Sequence, residues 1–174
     1  DDYQIMKYEV TAAQYTEFLI NALADGIIYV DYGCDIGGHC DFFVYANVEN
    51  SQFGVEDGTY IVFDLNETQY INEFCYPKIY WNGSTFILNE GYANHPVVSV
   101  TFFGAHLYAE YYGYRIPTSL EWSVAAVGNS NWSCPWGNTW NNSNLNKSRS
   151  YDIYEDICGY HCATTPVGYY NGEN

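Results

Sequence analysis

The chain has 174 residues, 21 acidic against 5 basic, and a formal net charge of −16. So little basic surface excludes nucleic acid and anionic lipid as partners, because nothing is available to displace counterions from phosphates. A hydrophobic fraction of 48% with 20 tyrosines excludes disorder and supports a sizeable core, and no apolar run reaches the roughly 18 residues of a membrane span.

Gln4 to Val10 reads as a short strand. Thr11-Ala12-Ala13-Gln14 is a capping box: the Thr hydroxyl takes one orphan amide and Gln reaches back to another. Tyr15, Phe18, Leu19, Ala22 and Leu23 follow at helical spacing, and Asp25-Gly26 closes the helix. Strand runs come next at Ile27–Val30, Phe42–Val48, Tyr60–Leu65 and Ile79–Leu88. In the last of these, Trp81-Asn82-Gly83-Ser84 predicts a hairpin turn in which Asn-Gly supplies two positive φ values. Thr101 is placed to cap a helix over Phe102 to Tyr112, stopped by Gly113. Thr118-Ser119-Leu120-Glu121 is a second capping box, opening a helix that runs to Ala126 and stops at Gly128, with Pro117 barring backward growth. An Asn-rich, irregular stretch ends the chain.

Several of these segments carry a family resemblance. Lys7 to Tyr15 is similar to the opening of the formylglycine-generating-enzyme, or sulfatase-modifying-factor, family. His95 to Phe103 resembles its next block, and Tyr114-Arg115-Ile116-Pro117-Thr118-Ser119-Leu120-Glu121-Trp122 resembles its Arg-Leu-Pro-Thr-x-x-Glu-Trp motif. Cys134 to Asn138 and Thr165 to Gly168 match two further landmarks, so five blocks stand in family order. The resemblance implies an α+β fold, irregular and C-type-lectin-like, as one domain over 1–174 with a β-rich insert at about 27–94. It also implies that the domain is C-terminally incomplete. The family's last hairpins and its reactive cysteine pair have no counterpart here, so no catalytic residue is assigned. The insert resembles that of secreted bacterial members without assigned catalysis.

By the same resemblance, calcium would sit on the Asn146 side chain, the Lys147 carbonyl, the Asp152 side chain and the Tyr154 carbonyl. Such an all-oxygen set suits Ca²⁺. The alternative is an ordinary polar loop, and a glycan on Asn146 would remove that ligand. Six cysteines, Cys34, Cys40, Cys75, Cys134, Cys158 and Cys162, fit disulfides, with Cys34–Cys40, Cys158–Cys162 and Cys75–Cys134 the expected pairs. The competing reading pools Cys34, His39, Cys40, Cys158, His161 and Cys162 into a zinc site.

Five Asn-x-Ser/Thr sequons, at Asn66, Asn82, Asn131, Asn141 and Asn146, exceed the chance expectation of about two. Together with the cysteines they point outside the cytosol. Glu9, Arg115 and Glu121 admit an acid–base reading. The structural reading is favoured: Glu121 completes the cap of Thr118, and Arg115 pairs with a buried carboxylate such as Glu9. His95 and His106 have no triad partner at a readable spacing. Acidic Asp31, Asp35 and Asp41 lack a metal-loop spacing. Tyrosines in this number exceed what a core needs and suit a binding surface.

The expected function is therefore a non-catalytic extracellular glycoprotein domain, binding or structural, such as a surface or fibre subunit. Its partner would be a second copy or a carbohydrate or protein ligand. The alternative is a fragment of an oxidase that converts a protein cysteine to formylglycine.

Overall fold

The computed structural model describes residues 3–34, 40–47, 61–65, 79–128, 130–141, 144–146 and 164–170. Among them the fold is α+β, with three helices and two small antiparallel sheets.

Helix α1 spans Ala12–Ala24 and begins as its sequence dictates. The Thr11 amide donates to Gln14 Oε1 at 2.9 Å, and the Gln14 amide returns to Thr11 Oγ1 at 3.2 Å. Its apolar stripe of Tyr15, Phe18, Leu19 and Ala22 is buried. The chain leaves through Gly26 at φ +71, a left-handed residue that costs glycine little.

Strands β1 (Ile28–Cys34), β2 (Cys40–Ala46) and β3 (Ile61–Asp64) form one sheet in that order, every pair antiparallel. The β1–β2 register runs unbroken from Ile28↔Ala46 to Cys34↔Cys40, while β2 bulges against β3 between Val44 and Tyr45. Strands β4 (Ile79–Trp81) and β5 (Phe86–Leu88) make a separate hairpin.

The hairpin turn differs from expectation. Its register, Trp81↔Phe86, centres the turn on Gly83-Ser84, one residue later than predicted. Only Gly83 has positive φ, and Asn82 serves as an acceptor, its Oδ1 taking the amides of Ser84 at 3.0 Å and Thr85 at 2.9 Å. An Asn side chain that mimics the turn carbonyl removes the need for a second left-handed residue.

Helix α2 (Phe102–Tyr111) is capped by Thr101, whose Oγ1 accepts from the Gly104 amide at 3.0 Å and donates to the Ile61 carbonyl of β3 at 2.6 Å. One hydroxyl thus caps a helix and ties it to the sheet. Helix α3 (Ser119–Val127) opens on the expected Thr118–Glu121 box and ends at Gly128, φ +63.

The expected strand over Gln4–Val10 does not form. Extended pairing is limited to the bridge Thr11↔Pro96, flanked by the Val97 amide bonding the Val10 carbonyl at 2.9 Å. Pro96 has no amide to give, so the ladder cannot continue.

The core lies where α1, α2 and both sheets meet. Tyr15 stacks on Tyr108 with centroids 5.6 Å apart and packs on Phe63, while Phe18 meets Tyr108 edge-on at 5.4 Å and Tyr111 at 5.5 Å. Tyr15 and Tyr108 thus serve as core residues, using their faces and edges as Phe would. Tyr111 also donates its hydroxyl to Asp25 Oδ2 at 2.7 Å, which holds its pKa up at about 12. No helix among the described residues is long and apolar enough to cross a membrane.

Candidate functional site

His95 sits at a three-way crossing. Its carbonyl accepts the Ala12 amide at 2.8 Å and so anchors the first turn of α1. Its ring is 4% exposed, lies against Tyr92, and has Nδ1 2.8 Å from Thr164 Oγ1. The Val167 amide bonds the Asn94 carbonyl beside it. The segment 164–170 is thereby stapled to the helix start.

Burial lowers the His95 pKa, partly countered by a hydrogen bond to the Thr164 backbone. Its unfolded value is about 6.5, so below that pH the unfolded chain binds more protons than the folded one, and stability falls as pH drops. Melting between pH 7.5 and 5.5 should show this loss, and His95→Gln should flatten that part of the profile.

Arg115 corrects an expectation. Glu9 is exposed and is not its partner. Instead the guanidinium grips Glu121 with two bonds, Nη1–Oε2 at 2.7 Å and Nη2–Oε1 at 2.5 Å. The reason is local: the turn through Pro117 and the Thr118 cap returns the chain beside Arg115, and the carboxylate that completes the capping box is already fixed there. Thr118 donates its amide to Glu121 Oε2 at 2.8 Å. The Arg115 bond and the cap together hold Glu121 at a pKa of about 2. A carboxylate held ionised this way serves as a clamp and not as a proton donor.

That clamp fixes a helix which buries nothing. No residue of α3 is buried; Leu120 is 74% and Trp122 61% exposed. Tyr114 precedes the helix and Trp132 and Trp140 follow it, all at least half exposed. Tyr3, from the N-terminal segment, donates its hydroxyl to the Glu121 carbonyl at 2.5 Å and is itself partly exposed, as are Ile5, Met6 and Tyr8.

The segment after α3 is shaped by the Cys-Pro-Trp-Gly landmark. Cys134 and Gly137 exchange both backbone bonds, at 3.1 and 3.0 Å, and Gly137 takes φ +121. Trp136 donates Nε1 to the Thr139 carbonyl at 3.1 Å and packs edge-on against Trp140, centroids 6.3 Å apart. The indole of Trp140 is thereby braced by a neighbouring ring.

This aromatic surface was only generically legible in the tyrosine count. Its specific signal is the placement of Leu120 and Trp122 on either side of Glu121 at a fully capped helix start.

Of the other expected sites, Asn146 is exposed, whereas Lys147, Asp152 and Tyr154 lie outside the described residues. No group of three or more His, Cys, Asp or Glu able to hold a metal occurs among the described residues. Cys134 is a free, buried thiol; Cys75, its expected partner, and Cys158 and Cys162 lie outside the described residues, as do the side chains of Cys34 and Cys40. The side chains of Asn82, Asn131, Asn141 and Asn146 are exposed, and Asn66 falls outside.

Comparison with known proteins places these features in context. The sulfatase-modifying factor enzyme 1-like domain matches residues 1–174. The Chlamydia pneumoniae protein named serine/threonine-protein kinase pkn1 is 47% identical over 51 residues, covering 29% of this chain and 8% of its own. Bacillus subtilis YfmG is 35% identical over 78 residues, 40% of this chain and 16% of its own. The formylglycine-generating enzyme of Thermomonospora curvata is 48% identical over 46 residues, 26% of this chain and 15% of its own. The matched part is thus a small fraction of each of these relatives.

Proposed function

The chain belongs to the sulfatase-modifying factor enzyme 1-like domain family, and from that premise we propose that it is a non-catalytic binding or structural module working outside the cytosol. The observation that carries this reading is α3. The helix is capped at its start and clamped by Arg115, yet it leaves Leu120 and Trp122 exposed to solvent, and Tyr114 before it and Trp132 and Trp140 after it in the chain are exposed as well. Rigid aromatic groups on a fixed frame give contact area at low entropic cost. Exposed aromatic side chains of this size, apolar in body with a polar edge, suit contact with a protein partner.

The partner is another protein surface, a second copy of this chain included. Two copies at −16 each repel, so self-association requires salt to screen the charge. Sedimentation velocity at about 20 mM and about 500 mM salt should show a monomer giving way to larger species only at the higher value. Trp122→Ser should stay monomeric in both with unchanged melting. A wild-type chain that is monomeric at every salt and concentration would contradict the self-assembly version.

Calcium and glycan belong to the same reading. The proposed calcium donors, Asn146, Lys147, Asp152 and Tyr154, are all oxygens, a set this ion prefers. Chelation should lower the melting temperature by a few degrees, and an unchanged melt would remove the ion from the account. The exposed sequon side chains would accept glycans, read as mass above 19.9 kDa.

A second reading rests on the identity to the formylglycine-generating enzyme: the chain is part of an oxidase acting on a protein cysteine. Oxygen consumption by the full gene product with a cysteine-bearing peptide separates the two.

A further inference from the structure

We propose that Cys34 and Cys40 form a cross-strand disulfide that closes the β1–β2 hairpin. The two residues are direct partners in the register, on the last rung before residues 35–39. Six cysteines alone left this pairing open, with a zinc site as the competitor; the backbone register supplies an independent argument.

Parity in the ladder identifies the kind of rung. The Asn47 amide donates to the Ile27 carbonyl at 2.7 Å, which makes Ile27 and Asn47 a hydrogen-bonded pair. In an antiparallel ladder, hydrogen-bonded and non-hydrogen-bonded pairs alternate. The register from Ile28↔Ala46 to Cys34↔Cys40 is continuous, without a bulge. Counting seven rungs from Ile27 makes Cys34↔Cys40 a non-hydrogen-bonded pair.

Such pairs have Cα atoms about 4.5 Å apart, against about 5.5 Å for the other kind. A disulfide accepts Cα separations of about 4.4–6.8 Å. The separation typical of such a rung therefore falls inside the range a disulfide accepts. Formation also breaks no ladder hydrogen bond, because this rung makes none between its own residues.

The chemistry needs a two-electron oxidant, and a small disulfide such as oxidised glutathione supplies it. One cysteine thiolate attacks that disulfide, releasing one glutathione thiolate and leaving a mixed disulfide. The second thiolate displaces the other glutathione. One S–S bond forms within the hairpin and one is lost from the oxidant. Two electrons reduce the oxidant, and two thiol protons pass to water.

The decisive experiment uses the whole chain equilibrated with excess oxidised glutathione, quenched in acid, alkylated and digested without reduction. Cleavage before Asp35 and Asp41 separates peptide Asp31–Cys34 from peptide Asp35–Cys40. The inference expects these two peptides joined, unalkylated, and separable by reductant. Recovery of either peptide joined to one carrying Cys75, Cys134, Cys158 or Cys162 overturns it, as does alkylation of both. In a parallel sample alkylated at neutral pH without the acid quench, protection that requires added zinc and survives reductant overturns it in favour of the metal site. As a second readout, reduction should speed amide exchange in β1 and β2 by about tenfold and leave α1 unchanged, and Cys34→Ser should abolish that redox response.

Discussion

Phe18→Ala is expected to lower the unfolding free energy by about 3–5 kcal/mol, the largest loss of any single truncation in this fold. Phe18 is completely buried on the inner face of α1 and meets Tyr15, Tyr108, Tyr111 and Tyr112 through its ring. Four rings of this size cannot collapse into the space left behind, so the transfer cost and the cavity cost add. Urea unfolding should show the midpoint displaced at an unchanged slope. Tyr15→Phe is the matched control. The Tyr15 hydroxyl is buried with no hydrogen-bond partner among the described residues, and burial holds its pKa well above the usual phenol value. Its removal should be neutral or mildly stabilising, since nothing is left unpaired.

Gly104→Val is the second large effect. A β-carbon at Gly104 would land on the Val62 carbonyl oxygen and 2.6 Å from the Tyr15 hydroxyl. The glycine is needed for close approach, because α2 lies directly on the backbone of β3. Backbone cannot rotate away as a side chain does, so a loss of about 3 kcal/mol or more is expected, at the upper end for overpacking. Gly26→Ala tests the opposite case: its φ is +71 but the space around it is open, so the cost should be only about 1 kcal/mol. A smaller loss at Gly104 than at Gly26 would show that α2 does not sit where described.

The local devices of this fold were legible in advance because they depend on neighbours in sequence. Both capping boxes, the Thr101 cap and the stripe of α1 follow from residues within four positions of one another. Whatever depended on a distant partner was not legible. The Gln4–Val10 strand failed because its partner across the bridge is Pro96, which no local pattern announces. Arg115 chose Glu121 over Glu9 because a turn through Pro117 brings the former within 2.5 Å, and pairing preference alone could not rank the two. The hairpin shifted by one residue because Asn82 offered its side chain as the turn acceptor.

The aromatic face shows the same division. A count of tyrosines says that some must be exposed, and it says nothing of which. Among the described residues Tyr15, Tyr45 and Tyr108 are core residues, whereas Tyr3, Tyr8, Tyr29, Tyr32, Tyr80, Tyr112 and Tyr114 are exposed, as are Leu120, Trp122, Trp132 and Trp140. Trp122 stands beside Glu121, so the carboxylate locked to Arg115 also fixes the indole's place on the surface. Glu121→Gln keeps the shape of the side chain but weakens that lock. Its pKa of about 2 lies below the usual carboxylate value, so its contribution is complete above about pH 4.5 and fades as pH falls toward 2. The variant should lose that acid dependence.

The central claim is that Leu120, Trp122, Trp132 and Trp140 form a docking face. Hydroxyl-radical footprinting of these residues, compared between dilute monomer at low salt and the associated species at high salt, tests it directly. The account predicts that oxidation of Trp122, Trp132 and Trp140 falls several-fold on association while Tyr29, exposed on β1, reacts unchanged. Equal oxidation of the three tryptophans in both states would contradict it.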